Sequence, residues 1–135
     1  MKNAMIIVKG TGTSSGEEPE VIEVTSFGKM DVKDGKIILL YDDAQTYTRL
    51  EFAGQESFVI IRTGAVESRM EITLGRMSLA DYTTEFGSMM LTLFGEKIEN
   101  KLTEKGGTFY ARYSLDSDLA SRTKSELEIT VKLTE

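Results

Sequence analysis

An all-β fold, an antiparallel up-and-down meander of about ten strands closed into a barrel, is predicted for this chain by three observations. Short runs of alternating polar and apolar residues recur along it, rich in β-branched and aromatic types. Gly or Asp-Gly interrupts these runs every 8 to 12 residues or so, where a hairpin needs a residue tolerant of positive φ. No segment sustains a helical period beyond about ten residues; Ser78 to Glu85 comes nearest and is too rich in Thr and Tyr. At 135 residues the chain reads as one domain, 1–135, large enough to bury roughly two-thirds of its unfolded surface without disulfides.

The elements follow in order. Met5 to Gly10 reads as the first strand, and Thr11 to Pro19 as a polar loop. Val21 to Lys29 alternates Ile22 and Val24 against Glu23 and Thr25, and Asp34-Gly35, a strong two-residue hairpin signal, joins it to Lys36 to Asp42. Thr46 to Phe52 sets Thr48, Leu50 and Phe52 on one face; Gly54 leads to Ser57 to Thr63, and Gly64 to Arg69 to Leu74, where Met70, Ile72 and Leu74 oppose Arg69, Glu71 and Thr73. Gly75 precedes Met77 to Tyr82, Gly87 precedes Met89 to Phe94, and Gly95 is read as a turn into Lys97 to Leu102. After Gly106-Gly107, Thr108 to Leu115 turns Phe109, Ala111, Tyr113 and Leu115 one way, and Lys124 to Leu133 places Leu127, Ile129, Val131 and Leu133 inside. Closing such a meander removes two exposed edges, which favours a barrel; a two-sheet sandwich stays open, since periodicity does not distinguish closure from stacking.

Composition removes several kinds of chemistry. A formal charge of -6 argues against a nucleic-acid or anionic-membrane partner, because an acidic surface repels both. No apolar run approaches the length of a spanning helix, and Met1 to Val8 is too short for a signal-peptide core, so a cytoplasmic protein is expected; zero Cys agrees with a reducing compartment. Without His or Cys there is no imidazole base, thiolate nucleophile or good zinc site, so neither a cofactor nor a metal is expected and the chain is read as a non-enzyme. Gly10-x-Gly12 with Gly16 resembles a phosphate loop, but Glu17-Glu18-Pro19 follows in place of a helix start and would repel phosphate. Asp116-Ser117-Asp118 opens like a calcium loop, yet Ser121 and Leu127 stand where the turn glycine and the bidentate carboxylate belong. Asp42-Asp43 has no partner that sequence alone places.

Arg62 resists a bland reading. It shares a face with Phe58 and Ile60, while Val59 and Ile61 share the other, so it points inward if they do. A guanidinium never sheds its charge, so inside a barrel it needs a carboxylate, several carbonyls or an anionic ligand. Ser68 across the Gly64 turn, Met70 and Tyr113 are the candidate companions of Arg62 in a ligand site. The alternative pairs Arg62 with Asp81 or Glu85 near the rim. Met70, Met77, Met89 and Met90 read as core filling, with an adaptable pocket lining as the other use.

The stretch Ile60-Ile61-Arg62-Thr63-Gly64-Ala65-Val66-Glu67-Ser68-Arg69-Met70, the later Phe86-Gly87 with its alternating strand, and the segment from Tyr113-Ser114-Leu115 to Ser121 resemble the YwiB-like family of small uncharacterised bacterial proteins. The similarity runs from about Ile6 to Val131; the chain departs from the family pattern at Glu85-Phe86 and at Ile72. The resemblance implies a calycin-like barrel, the architecture of lipocalins, and no activity. Two functions follow from all this. One is non-enzymatic binding of a small apolar or amphipathic anion in or at the mouth of the barrel. The other is a structural or interaction domain with a packed lumen, possible as a homodimer, using exterior Ile38, Leu40, Val59, Ile61, Met90 and Phe94.

Overall fold

The computed structural model describes residues 1–14, 17–43, 45–117 and 120–134. Among them run ten antiparallel strands: β1 (Lys2–Ser14), β2 (Glu20–Lys33), β3 (Lys36–Asp43), β4 (Thr46–Ala53), β5 (Ser57–Gly64), β6 (Val66–Thr73), β7 (Met77–Thr84), β8 (Gly87–Thr103), β9 (Gly106–Ser117) and β10 (Ala120–Leu133). Each pairs with its neighbours in sequence, and β1 pairs with β10. The meander therefore closes into a barrel rather than a sandwich.

Two turn and loop readings differ from the pattern-based expectation, while a third segment agrees with it. β1 continues to Ser14 instead of stopping at Gly10, because Gly10, Thr11 and Gly12 are laddered to β10 on one side and β2 on the other. That ladder also excludes the phosphate-loop geometry, while Gly16 lies outside the described residues. Gly95 is not a turn: β8 is continuous, held by β7 and β9, and the register slips by one residue between Gly95 and Lys97. Ser78 to Glu85 lies mostly within strand β7, with its last residue in the turn that follows.

Period two sorts the lumen into rows. Ile37, Phe52, Phe58 and Ile72 stand opposite one another across β3 to β6; above them come Leu39, Leu50, Ile60 and Met70, then Tyr41, Thr48, Arg62 and Ser68. The lowest row belongs to an aromatic floor, where Phe109 lies 4.6 Å from Phe52 and 5.0 Å from Phe58, centroid to centroid. Edge-on and tilted contacts of this kind fill the barrel end that carries the β2–β3, β4–β5, β6–β7 and β8–β9 turns. The row of Arg62 faces the opposite end.

Two seams interrupt the closure. β2 pairs with β3 only from Lys29 to Lys33, and β6 with β7 only from Val66 to Ser68. At the first seam β2 bends past β3 at Gly28, where any side chain would collide with the Leu40 carbonyl oxygen. At the second, the Ser78 hydroxyl donates to the Glu71 carbonyl at 2.6 Å.

The exterior corrects one expectation about apolar residues. Ile38, on the outer face, is buried, and Leu40, Val59 and Ile61 are half-buried. Their register partners are the charged residues of β4 and β6, in the rows Ile38–Glu51–Val59–Glu71 and Leu40–Arg49–Ile61–Arg69. The aliphatic stems of those long side chains flank the apolar residues. Met90 and Phe94 are exposed. Of the methionines read as core or pocket lining, only Met70 is buried; Met77 and Met90 sit on the outer face of β7 and β8, and Met89 at the exposed start of β8.

Candidate functional site

The polar row is a consequence of alternation. Inward positions that hold Phe, Leu and Ile near the floor hold Tyr41 on β3, Thr48 on β4, Arg62 on β5, Ser68 on β6 and Tyr82 on β7 at the other end, all in one line of register. Across the lumen, Tyr113 on β9 faces Ser125 on β10. Between these walls lies a cavity of about 370 Å³. Arg62, Tyr41, Tyr113, Ser125 and Thr11 supply its polar lining, together with the carboxylates of Asp43, Glu20 and Glu126; Val8, Ile22, Val24 and Leu127 supply an apolar wall.

Among the described residues, no carboxylate lies within ion-pair distance of Arg62. The expected partners fail for a geometric reason: Asp81 points outward beside Met90, and Glu85 is exposed in the β7–β8 turn. Asp43 shares the cavity instead, and both its charge and that of Arg62 act on the Tyr41 hydroxyl. Burial raises the pKa of Tyr41; Arg62 and a hydrogen bond with Thr48 pull it back, and Asp43 adds to the rise. Burial likewise raises Tyr113, opposed by Arg62 and a hydrogen bond with Ser125. Both phenols are thus neutral hydrogen-bond donors at physiological pH, held beside the fixed charge of Arg62.

Of the four residues singled out from sequence, Arg62 and Tyr113 line the cavity. Ser68 is the register partner of Arg62 but is not in the lining; its Oγ is buried without a hydrogen-bond partner. Met70 lies one row deeper, packed in the core. Tyr41, Thr48 and Ser125 were missed, and Asp43 was weighed only as half of an acid pair without a placed partner. The face of Ile37 and Leu39 continues to Tyr41, and that alternation is a readable signal, but only cross-strand register brings it beside Arg62.

No group of three acidic side chains close enough to hold a metal occurs among the described residues. The run that opens like a calcium loop supplies Asp116 to an ion pair with Arg122 at 3.3 Å, and Asp118 lies outside the described residues. No helix is long and apolar enough to cross a membrane.

Among solved structures, the ywiB protein from Bacillus subtilis superposes on this chain with a TM-score of 0.82 at 22% identity, covering 99% of this chain and 93% of that one. At that identity the likeness shows the fold. None of the curated proteins matches. A family described as a domain of unknown function, DUF1934, matches residues 6–129, a span that takes in nearly every strand of the barrel. The chain belongs to that family.

Proposed function

We propose that the protein is a non-enzymatic cytoplasmic binding module that holds a small amphipathic anion at the mouth of its barrel. The carrying observation is Arg62: a permanent cation facing the lumen, without an ion-pair partner among the described residues, flanked by two neutral phenols. The anionic group would sit between Arg62, Tyr41 and Tyr113, and the apolar part along Val8, Ile22, Val24 and Leu127. The cavity volume of about 370 Å³ falls within the usual range for small-molecule sites.

The test is binding of a fluorescent fatty-acid analogue and an aromatic carboxylate to the wild type and to Arg62→Met. Losing a charge-assisted contact should weaken binding by about ten- to a hundred-fold. Stability without ligand should hold or rise, because removing a desolvated, unpaired charge removes a cost. Had Arg62 an internal carboxylate partner, the same substitution would cost about 3 to 5 kcal/mol. A wild type that ignores both probes, together with a strongly destabilised variant, overturns the reading.

A further inference from the structure

The seam between β2 and β3 leaves half of β2 as a free strand edge. From Glu20 to Gly28 the strand is laddered to β1, and among the described residues no strand pairs with its other side. Its sequence, Glu20-Val21-Ile22-Glu23-Val24-Thr25-Ser26-Phe27, is β-branched and carries neither Pro nor Lys. It is also uncovered: Phe27 is 79% exposed, Ile22 59% and Val21 54%. A long, exposed edge with apolar side chains among its residues is a template for another strand, and proteins that do not use such an edge usually blunt it.

We infer that this edge pairs with its own copy, two β2 strands meeting antiparallel about a two-fold axis at Val24. The register selects the occupant. A two-fold axis normal to the sheet places each residue opposite one on the same face, so the centre must fall on a residue. Centring on Glu23 sets two carboxylates against each other. Centring on Val24 sets Glu23 opposite Thr25 and Val21 opposite Phe27, twice each, so the two exposed apolar side chains of the outer face cover one another with no like charges opposed. The inner face of the same segment, through Glu20, Ile22 and Val24, lines the cavity beside Arg62. A second copy therefore extends the cavity wall along its open side. The inference stands independently of the anion reading, since it concerns the edge and not Arg62.

A seven-residue edge buries less than a standard interface of about 1,600 Å², so a reversible dimer in the micromolar range is expected. Sedimentation velocity on the full chain, from low micromolar to near-millimolar, should show a shift from 15.0 kDa to twice that mass. Val21→Lys with Phe27→Lys opposes like charges across both pairs and should weaken association about tenfold or more, while far-ultraviolet circular dichroism and the monomer's melting temperature hold. Val21→Lys with Phe27→Glu opposes unlike charges and should restore the dimer. A wild type that stays monomeric throughout, or two double variants that associate equally, overturns the proposal.

Discussion

Arg62 shows how a single inward position acquires chemistry from its neighbours. On β5 it is merely the third inward residue after Phe58 and Ile60; the register line through Thr48 and Tyr41 turns it into a cation among hydroxyls. The two buried phenols make a prediction with a definite sign. Their folded pKa values lie above the ordinary 10.0, so the unfolded chain ionises first as the solution becomes alkaline. The stability held by the neutral phenols is fully present below the unfolded value and is lost as pH rises through the raised folded values. Urea denaturation from about pH 9 to pH 12 should therefore show falling stability, with Tyr41 and Tyr113 ionising above the ordinary phenol value in ultraviolet absorbance. In Arg62→Met their titration should move higher still, since the charge opposing the rise is gone. An unchanged titration would mean that Arg62 does not act on these hydroxyls.

At the scale of the strand, β2 carries two different tasks along one length. Its Lys29–Lys33 end is laddered to β3, and its Glu20–Gly28 end borders the cavity with one side unpaired among the described residues. Gly28 is where one becomes the other, because the Leu40 carbonyl occupies the space a Cβ would need. Gly28→Ala should thus lower unfolding free energy in urea by about 1 to 3 kcal/mol, the usual cost of forcing added volume against a backbone atom that cannot rotate away. A neutral substitution would show that the seam is soft. The turn at Glu85-Phe86 carries no such constraint: both residues are exposed.

The whole molecule is graded along its axis, with a close-packed aromatic floor, a middle aliphatic row and a polar mouth. The gradient separates stability from binding. Phe109 is 2% exposed and touches both Phe52 and Phe58, so Phe109→Ala should cost about 3 to 5 kcal/mol in a chemical denaturation series. Carboxylate-probe affinity in that variant should change far less, provided it stays folded at the assay temperature. Chelation should matter to neither property: with no His or Cys and no three-carboxylate group among the described residues, EDTA is expected to leave the melting temperature within a degree or so. A larger fall would reveal a metal bound to the native state.

The strand pattern and the inward set of Phe58, Ile60, Phe109, Ala111, Ile129 and Val131 were legible in the amino-acid sequence, because a period of two and a turn signal are local properties. The same locality explains the errors. Gly95 carries a turn signal, yet two neighbouring strands hold it in a bulge, and Thr11 to Ser14 reads as loop until β2 and β10 pair with it. Arg62 was identifiable as an inward charge, but the carboxylates expected to pair with it do not reach it: Asp81 takes the outer face of β7, and Glu85 lies exposed in the turn after that strand. Alternation says which face a side chain takes and nothing about which residue stands opposite. Register between neighbouring strands decided the row of Tyr41, Thr48, Arg62 and Ser68, the cavity beside it and the edge of β2 left unpaired among the described residues, because those depend on how far one strand slides along the next.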